Sequence, residues 1–178
     1  MANELDSRLV EHFRCFQDLD AEHTEQLAGR LKEVRLPKGH TIFEEGDDGD
    51  TAYFLVSGEV EVRAACPSEE DCSLATISAG QILGEISLLT GSARTATAIT
   101  LGEVELWEIS RATLESAADG GEAWATRFLL GTSQTLANRL ALVNQQIVGL
   151  LSDRNRPAEK RVAELDRLRD RLFSEWSF

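Results

Sequence analysis

Apolar and polar positions fall into three textures along the chain. Over the first thirty residues Leu5, Leu9, His12, Phe13 and Phe16 recur at helical spacing, and Leu19, Leu27 and Leu31 surround a second short run, which predicts two small helices. From Val34 to Ile109 the chain breaks into short stretches rich in Val, Ile, Thr and aromatics, separated by glycine or acidic turns. That pattern predicts a small β-sandwich or barrel. YFLVSGEVEVR, residues 53–63, reads as two strands joined by a tight turn at Ser57-Gly58. Gly84-Glu85-Ile86-Ser87-Leu88-Leu89 lacks period-2 alternation and reads as a short helix inserted between strands.

After Trp107 the helical period returns. Ser110 is the expected N-cap of RATLESAA, and Gly120-Gly121 the stop. A long helix is expected from Glu122 to about Ser152, where Leu129, Leu136, Val143 and Leu150 repeat every seventh residue and Leu140 and Ile147 fill the second heptad position. This is a dimer-type seam, and it makes a homodimer through residues 122–152 the expectation. Leu130, Leu142 and Val148 widen the stripe, so one side is expected on the β region and the other on a partner. Pro157 ends the helix, and Val162, Leu165, Leu168 and Leu172 define a last amphipathic segment, with Phe173, Trp176 and Phe178 beyond them. The resulting division is 1–30 helical, 31–109 β-rich, 110–152 helical and 153–178 an amphipathic tail.

Charge narrows the candidate partners. The 178 residues carry a formal charge of −13, and residues 1–152 hold 11 basic against 25 acidic side chains. Nucleic-acid binders draw affinity from a basic face, so DNA and anionic membranes are not expected partners. No run approaches the length of a membrane span, and the N-terminus lacks the basic-then-apolar order of a signal peptide, which points to the cytoplasm. Cys15, Cys66 and Cys72 are too few for a disulfide framework. His12, His23 and His40 cannot supply the converging ligands of a β-barrel metal enzyme, and EEGDDGDT lacks the carboxylate spacing of a calcium loop. No nucleophile arrangement points to an enzyme.

One stretch carries chemistry. In Gly84-Glu85 through Arg94-Thr95-Ala96, glycine permits close backbone approach, the helix start offers N–H groups, Arg94 can grip two phosphate oxygens, and Thr95 adds a hydroxyl. Glu85 would repel a phosphate unless aimed at a hydroxyl donor such as a ribose 2′-OH. The set suits a small nucleotide with one negative charge.

ILGEISLLTGSARTATA resembles the phosphate-binding cassette of cyclic nucleotide-binding domains, the family of bacterial catabolite activators, protein kinase A regulatory subunits and cyclic nucleotide-gated channels. LPKGHTIFEEGDDGDTAYFLVSGEVEV resembles the family's glycine-punctuated β-roll, and the two cover about half the chain. The resemblance implies an α+β fold, a double-stranded β-helix flanked by helices, with the cassette over 82–98. It implies that Glu85 accepts the ribose 2′-hydroxyl, Arg94 pairs with the cyclic phosphate, Thr95 bonds a phosphate oxygen or the base, and backbone of Gly84, Ile86, Ser87 and Ala96 completes the cradle. Leu74 and Ala75 would line ribose and base, and Arg139, Val143 and Asn144 would approach from a lid helix. Ala93 and Ser87 replace a proline and an alanine frequent in the family, changes that leave the cradle chemistry intact.

The expected ligand is cyclic AMP or cyclic GMP, with cyclic AMP slightly favoured and no metal. The stretch after Ser152 is too short for the winged helix-turn-helix of the bacterial regulators and nearly neutral. The expectation is therefore a stand-alone receptor that moves its C-terminal helices and is read by an unidentified effector protein. The alternative is a nucleotide-independent dimeric interaction module in which Glu85 and Arg94 form an ordinary salt bridge.

Overall fold

The computed structural model of the chain describes residues 12–65 and 72–152. The side chains of Arg14, Cys72, Arg139, Leu142, Val143 and residues 146–152 lie outside that description, as do the helix expected around Leu5 and Leu9, Cys66 and the amphipathic segment after Ser152.

A 3-10 turn at Arg14–Phe16 leads to helix α1, Ala21–Ala28. Asp20 caps α1 by accepting the His23 N–H at 2.9 Å, and this bond to its own helix start holds the Asp20 carboxyl below its usual range.

Eight strands follow: β1 (Lys32–Leu36), β2 (Thr41–Phe43), β3 (Thr51–Ser57), β4 (Glu59–Ala64), β5 (Cys72–Ser78), β6 (Ile82–Leu83), β7 (Thr97–Thr100) and β8 (Val104–Ser110). All pairings are antiparallel and nested: β1 with β8, β2 with β7, β3 with β6 and β4 with β5. Two four-stranded sheets result, in the orders β1-β8-β3-β6 and β2-β7-β4-β5, which is the expected β-roll.

The expected hairpin over residues 53–63 is corrected at this point. Both strands exist, but β3 pairs with β6 and β8 while β4 pairs with β5 and β7. Gly58, at φ 89°, carries the chain between sheets, and a side chain there would overlap the Glu103 carbonyl. Tight turns usually signal hairpins; here the close approach of the β8 entrance leaves room for a switch and no room for a side chain.

The sheets differ in burial. In β3 and β8 consecutive residues are buried (Phe54, Leu55 and Val56; Leu106 and Trp107), because helices cover the outer face of that sheet. In β4 and β7 burial alternates, the mark of a sheet with one face in water.

Three further helices complete the described residues. The short α2, Glu85–Thr90, sits between β6 and β7 as expected. Ser110 caps α3, Arg111–Asp119, by accepting the Thr113 N–H at 3.2 Å, and Gly121, at φ 74°, follows its end. The long α4 runs Ala123–Ser152. Just ahead of it Glu122 accepts from Arg30 and from the Trp124 indole N–H, each at 2.6 Å, tying the end of α1 to the start of α4.

Aromatic rings join these layers. Phe54 of β3 meets Phe13 at 5.1 Å, Phe16 at 5.6 Å and Phe128 of α4 at 5.7 Å between centroids. The docked face of α4 is thus Trp124, Ala125, Phe128 and Thr132, all buried. Of the heptad positions, Leu129 and Leu136 are half-buried and Leu140 is exposed. Leu130, one of the residues that widen the stripe, is exposed and lies off the docked face. Docking follows the large aromatics at 124 and 128, which the heptad pattern leaves out.

Candidate functional site

Two left-handed glycines bound α2: Gly84 at φ 81° before it and Gly91 at φ 69° after it. Gly84 is held to glycine twice over, by its φ and by Arg94, whose guanidinium occupies the place a side chain would need. From Gly91 the chain returns without regular secondary structure toward β7. The Ser87 hydroxyl donates to the Ala93 carbonyl at 3.2 Å, and the Gly91 N–H donates to the Ser87 carbonyl at 2.8 Å. These bonds hold the loop that presents Arg94.

Arg94 is 5% exposed. Nη1 donates to the Thr51 carbonyl at 2.7 Å and to the Gly84 carbonyl at 3.4 Å, and Nη2 donates to the Thr51 hydroxyl at 2.7 Å. Its guanidinium carbon lies 4.3 Å from the centre of the Phe43 ring, which in turn stacks on Tyr53. The buried Nε–H has no acceptor among the described residues. Of the five N–H bonds of a guanidinium, Nε–H and one N–H of Nη2 are therefore left over, and both belong to one edge of the planar group. A buried donor without an acceptor costs about 1–3 kcal/mol, so a group in this state calls for a partner.

Burial pushes the Arg94 guanidinium below its ordinary value, while Tyr53, Asp50, Asp47 and Glu85 act in the opposite direction. It remains a cation, as arginine does throughout proteins. Glu85 and Ser87 are each 2% exposed, so carboxylate, hydroxyl and guanidinium are concentrated in a nearly dry corner.

Gly84, Glu85, Ser87 and Arg94 thus gather around one cradle. Ala96 is buried beside it in sequence, Ile86 is half-buried and Thr95 is exposed. Leu74 and Ala75 are half-buried on β5 and pack on the core. Asn144 is exposed on α4, which packs against the 3-10 turn, α1 and α3 and, through Phe128, on Phe54. None of these α4 contacts involves a cassette residue.

Three residues of the cradle were not singled out from the sequence. Thr51 takes both terminal nitrogens of Arg94, Phe43 stacks under it, and Gly49 is buried where a side chain would overlap Ser87. The one available signal was the glycine within the acidic run at 44–50. A groove of about 430 Å³ lies elsewhere, at the Ser57 end of β3, lined by Arg35, Leu36, Pro37, Glu103 and Val104 among others, and contains no cassette residue.

Residues 33–120 match the family described as "Cyclic nucleotide-binding domain". The chain is 31% identical over 137 residues to a CRP-like cAMP-activated global transcriptional regulator of Mycobacterium tuberculosis, covering 76% of this chain and 59% of that protein. It therefore spans about three-fifths of the length of that relative. The N-terminal domain of a transcriptional regulator from Streptomyces coelicolor is 30% identical, with TM-score 0.64 over 73% of this chain and 93% of that one. A cyclic nucleotide-binding domain from Methylobacillus flagellatus shares the fold at TM-score 0.73 and 23% identity, covering 83% and 85% of the two chains.

Proposed function

Because this chain belongs to the cyclic nucleotide-binding domain family, we propose that it is a regulatory receptor for a cyclic nucleotide, with cyclic AMP slightly preferred over cyclic GMP. The observation that carries this reading is the buried Arg94, whose Nε–H lacks an acceptor among the described residues although Thr51 accepts from both terminal nitrogens. A phosphodiester offers two oxygens at the spacing of that free edge, and a charge-assisted pair of this kind adds orientation as well as energy.

In this reading Glu85 accepts the ribose 2′-hydroxyl, which gives a carboxylate beside a phosphate site a purpose. Gly84, Ile86, Ser87 and Ala96 supply backbone contacts, Thr95 a further hydroxyl, and Leu74 and Ala75 the apolar wall. Arg139 and Asn144 approach the base from α4, and ligand binding is coupled to the position of that helix. Such a coupling requires the ligand to prefer one helix position and is typically about 1–3 kcal/mol. A homodimer through 122–152 and a separate effector protein complete the proposal. The exposed Leu130 and Leu140, at 52% and 61%, support an apolar partner for this helix.

Calorimetry with cyclic AMP and cyclic GMP tests the reading. Binding to the parent and its loss in Arg94→Ala is the expected result. No heat and no thermal shift with either nucleotide would overturn it.

A further inference from the structure

Arg94 lies beside an acidic loop that its own backbone holds in place. Residues 44–50 read Glu-Glu-Gly-Asp-Asp-Gly-Asp, five carboxylates and no cation. The Gly46 N–H donates to the Arg94 carbonyl at 2.9 Å and the Arg94 N–H to the Asp47 carbonyl at 2.8 Å. Within the loop, the Asp47 carboxylate accepts the Glu44 N–H at 2.9 Å. At its start, the Glu45 carboxylate accepts the Ala65 N–H at 2.8 Å. At its end, the Asp50 carbonyl accepts the Arg111 N–H at 2.6 Å, one residue before the Thr51 that grips the guanidinium. Gly49 is packed between, against the side chains of Ser87 and Arg94.

The loop is therefore part of the cradle wall. A solvated turn would account for its exposure, but not for its attachment to the backbone of a buried cation that still has a free donor. Asp47, Asp50 and Glu85 all act on that one cation.

We propose that the 44–50 loop is a charge filter, in which Asp47 and Asp50 make the site accept a singly charged cyclic phosphodiester and reject the doubly charged phosphomonoester of the same nucleoside. This rests on the reading of the cradle as a cyclic nucleotide site. A phosphomonoester carries about −1.5 to −2 at pH 7, because its second pKa lies near 6. A phosphodiester has no second proton to lose and carries one charge. Arg94 neutralises one charge; a second would face Asp47, Asp50 and Glu85, and in a partly dry site the dielectric that screens such repulsion is lowered. The free edge of Arg94 also serves two oxygens, so the third oxygen of a monoester gains no contact from it.

The test uses the full chain, the double variant Asp47→Asn with Asp50→Asn, and calorimetry with 3′,5′-cyclic AMP and 5′-AMP. Asparagine keeps the shape and the side-chain oxygen that Glu44 N–H uses. The variant is expected to gain at least about tenfold in 5′-AMP affinity while cyclic AMP affinity changes by less than about threefold. Raising salt from about 50 to about 500 mM should narrow the preference of the parent far more than that of the variant. If the double variant melts early, Asp50→Asn alone carries the same comparison. A parent that binds cyclic AMP, with variants that leave its preference over 5′-AMP unchanged or leave 5′-AMP undetected, overturns the filter and leaves the receptor reading intact. A parent that binds neither nucleotide overturns both.

Discussion

The cassette around α2 and the helix α4 are the two parts of the molecule that a receptor must connect, and they are held by opposite means. In the cassette, directional bonds do the holding: Thr51 on the Arg94 side chain, Asp47 and Gly46 on its backbone, and Ser87 on Ala93. Apart from the Glu122 tie at its start and an Arg127–Asp18 ion pair at 4.0 Å, α4 is held among the described residues by apolar contact over its first three turns, where Trp124, Ala125 and Phe128 are buried and Phe128 meets Phe16 and Phe54. Further along, Ala137, Asn138, Leu140, Ala141, Asn144 and Gln145 are exposed. Hydrogen bonds tolerate little displacement, whereas apolar contact is non-directional and can re-form in a second arrangement. The Arg94 corner is therefore the stiff partner and the helix the adjustable one.

The largest blow to that contrast is Phe128→Ala, which removes the ring linking α4 to Phe54 and Phe16. It should cost about 3–5 kcal/mol in urea denaturation. If the cradle is as self-contained as its bonds suggest, whatever remains folded still binds cyclic nucleotide. Next is Arg94→Ala, aimed at the stiff region, which should weaken cyclic nucleotide binding by roughly 10- to 150-fold, the equivalent of about 1.5–3 kcal/mol for a charged hydrogen bond. Parent-like affinity in that variant would place the site elsewhere.

Ser110→Ala addresses the joint between the two regions, since Ser110 caps the helix that leads to α4. A loss of about 1 kcal/mol in thermal denaturation is expected. The mildest substitution, Leu140→Lys, should alter protomer stability by less than about 0.5 kcal/mol because the side chain is exposed. Light scattering then isolates the dimer: a fall in mass supports the heptad seam, and an unchanged mass removes it.

A pH effect closes the series. Burial pushes the Cys15 thiol up to about 12, and Gly131 of α4 is packed against its Cβ. The native state thus holds the neutral thiol; that stability is full below the ordinary thiol value near 9 and is lost as pH rises toward 12. Mass mapping after alkylation at neutral pH should find Cys15 unmodified in the folded protein and modified in urea. Early labelling would mean that α4 lifts from the N-terminal turn.

Much of this was legible from the residues alone. The cassette was, because its chemistry sits within thirteen consecutive residues and glycine, carboxylate and arginine at that spacing have few uses. Ser110 and Gly120-Gly121 marked α3 because caps are local. The partner of Arg94 was not legible: Thr51 stands 43 residues earlier, and an ordinary threonine in a strand carries no sign that a guanidinium will reach it.

Spacing along the chain, then, settled which segments are strands or helices, since that depends on neighbours within a few residues. Only the packed structure decided that β3 and β4 part at Gly58 into different sheets, that Phe128 rather than the leucine heptad docks α4, and that an acidic loop is bonded to the backbone of the buried Arg94. Each of these turns on contacts between residues far apart in sequence, where many pairings are compatible with the same local pattern and the close packing of the core selects one.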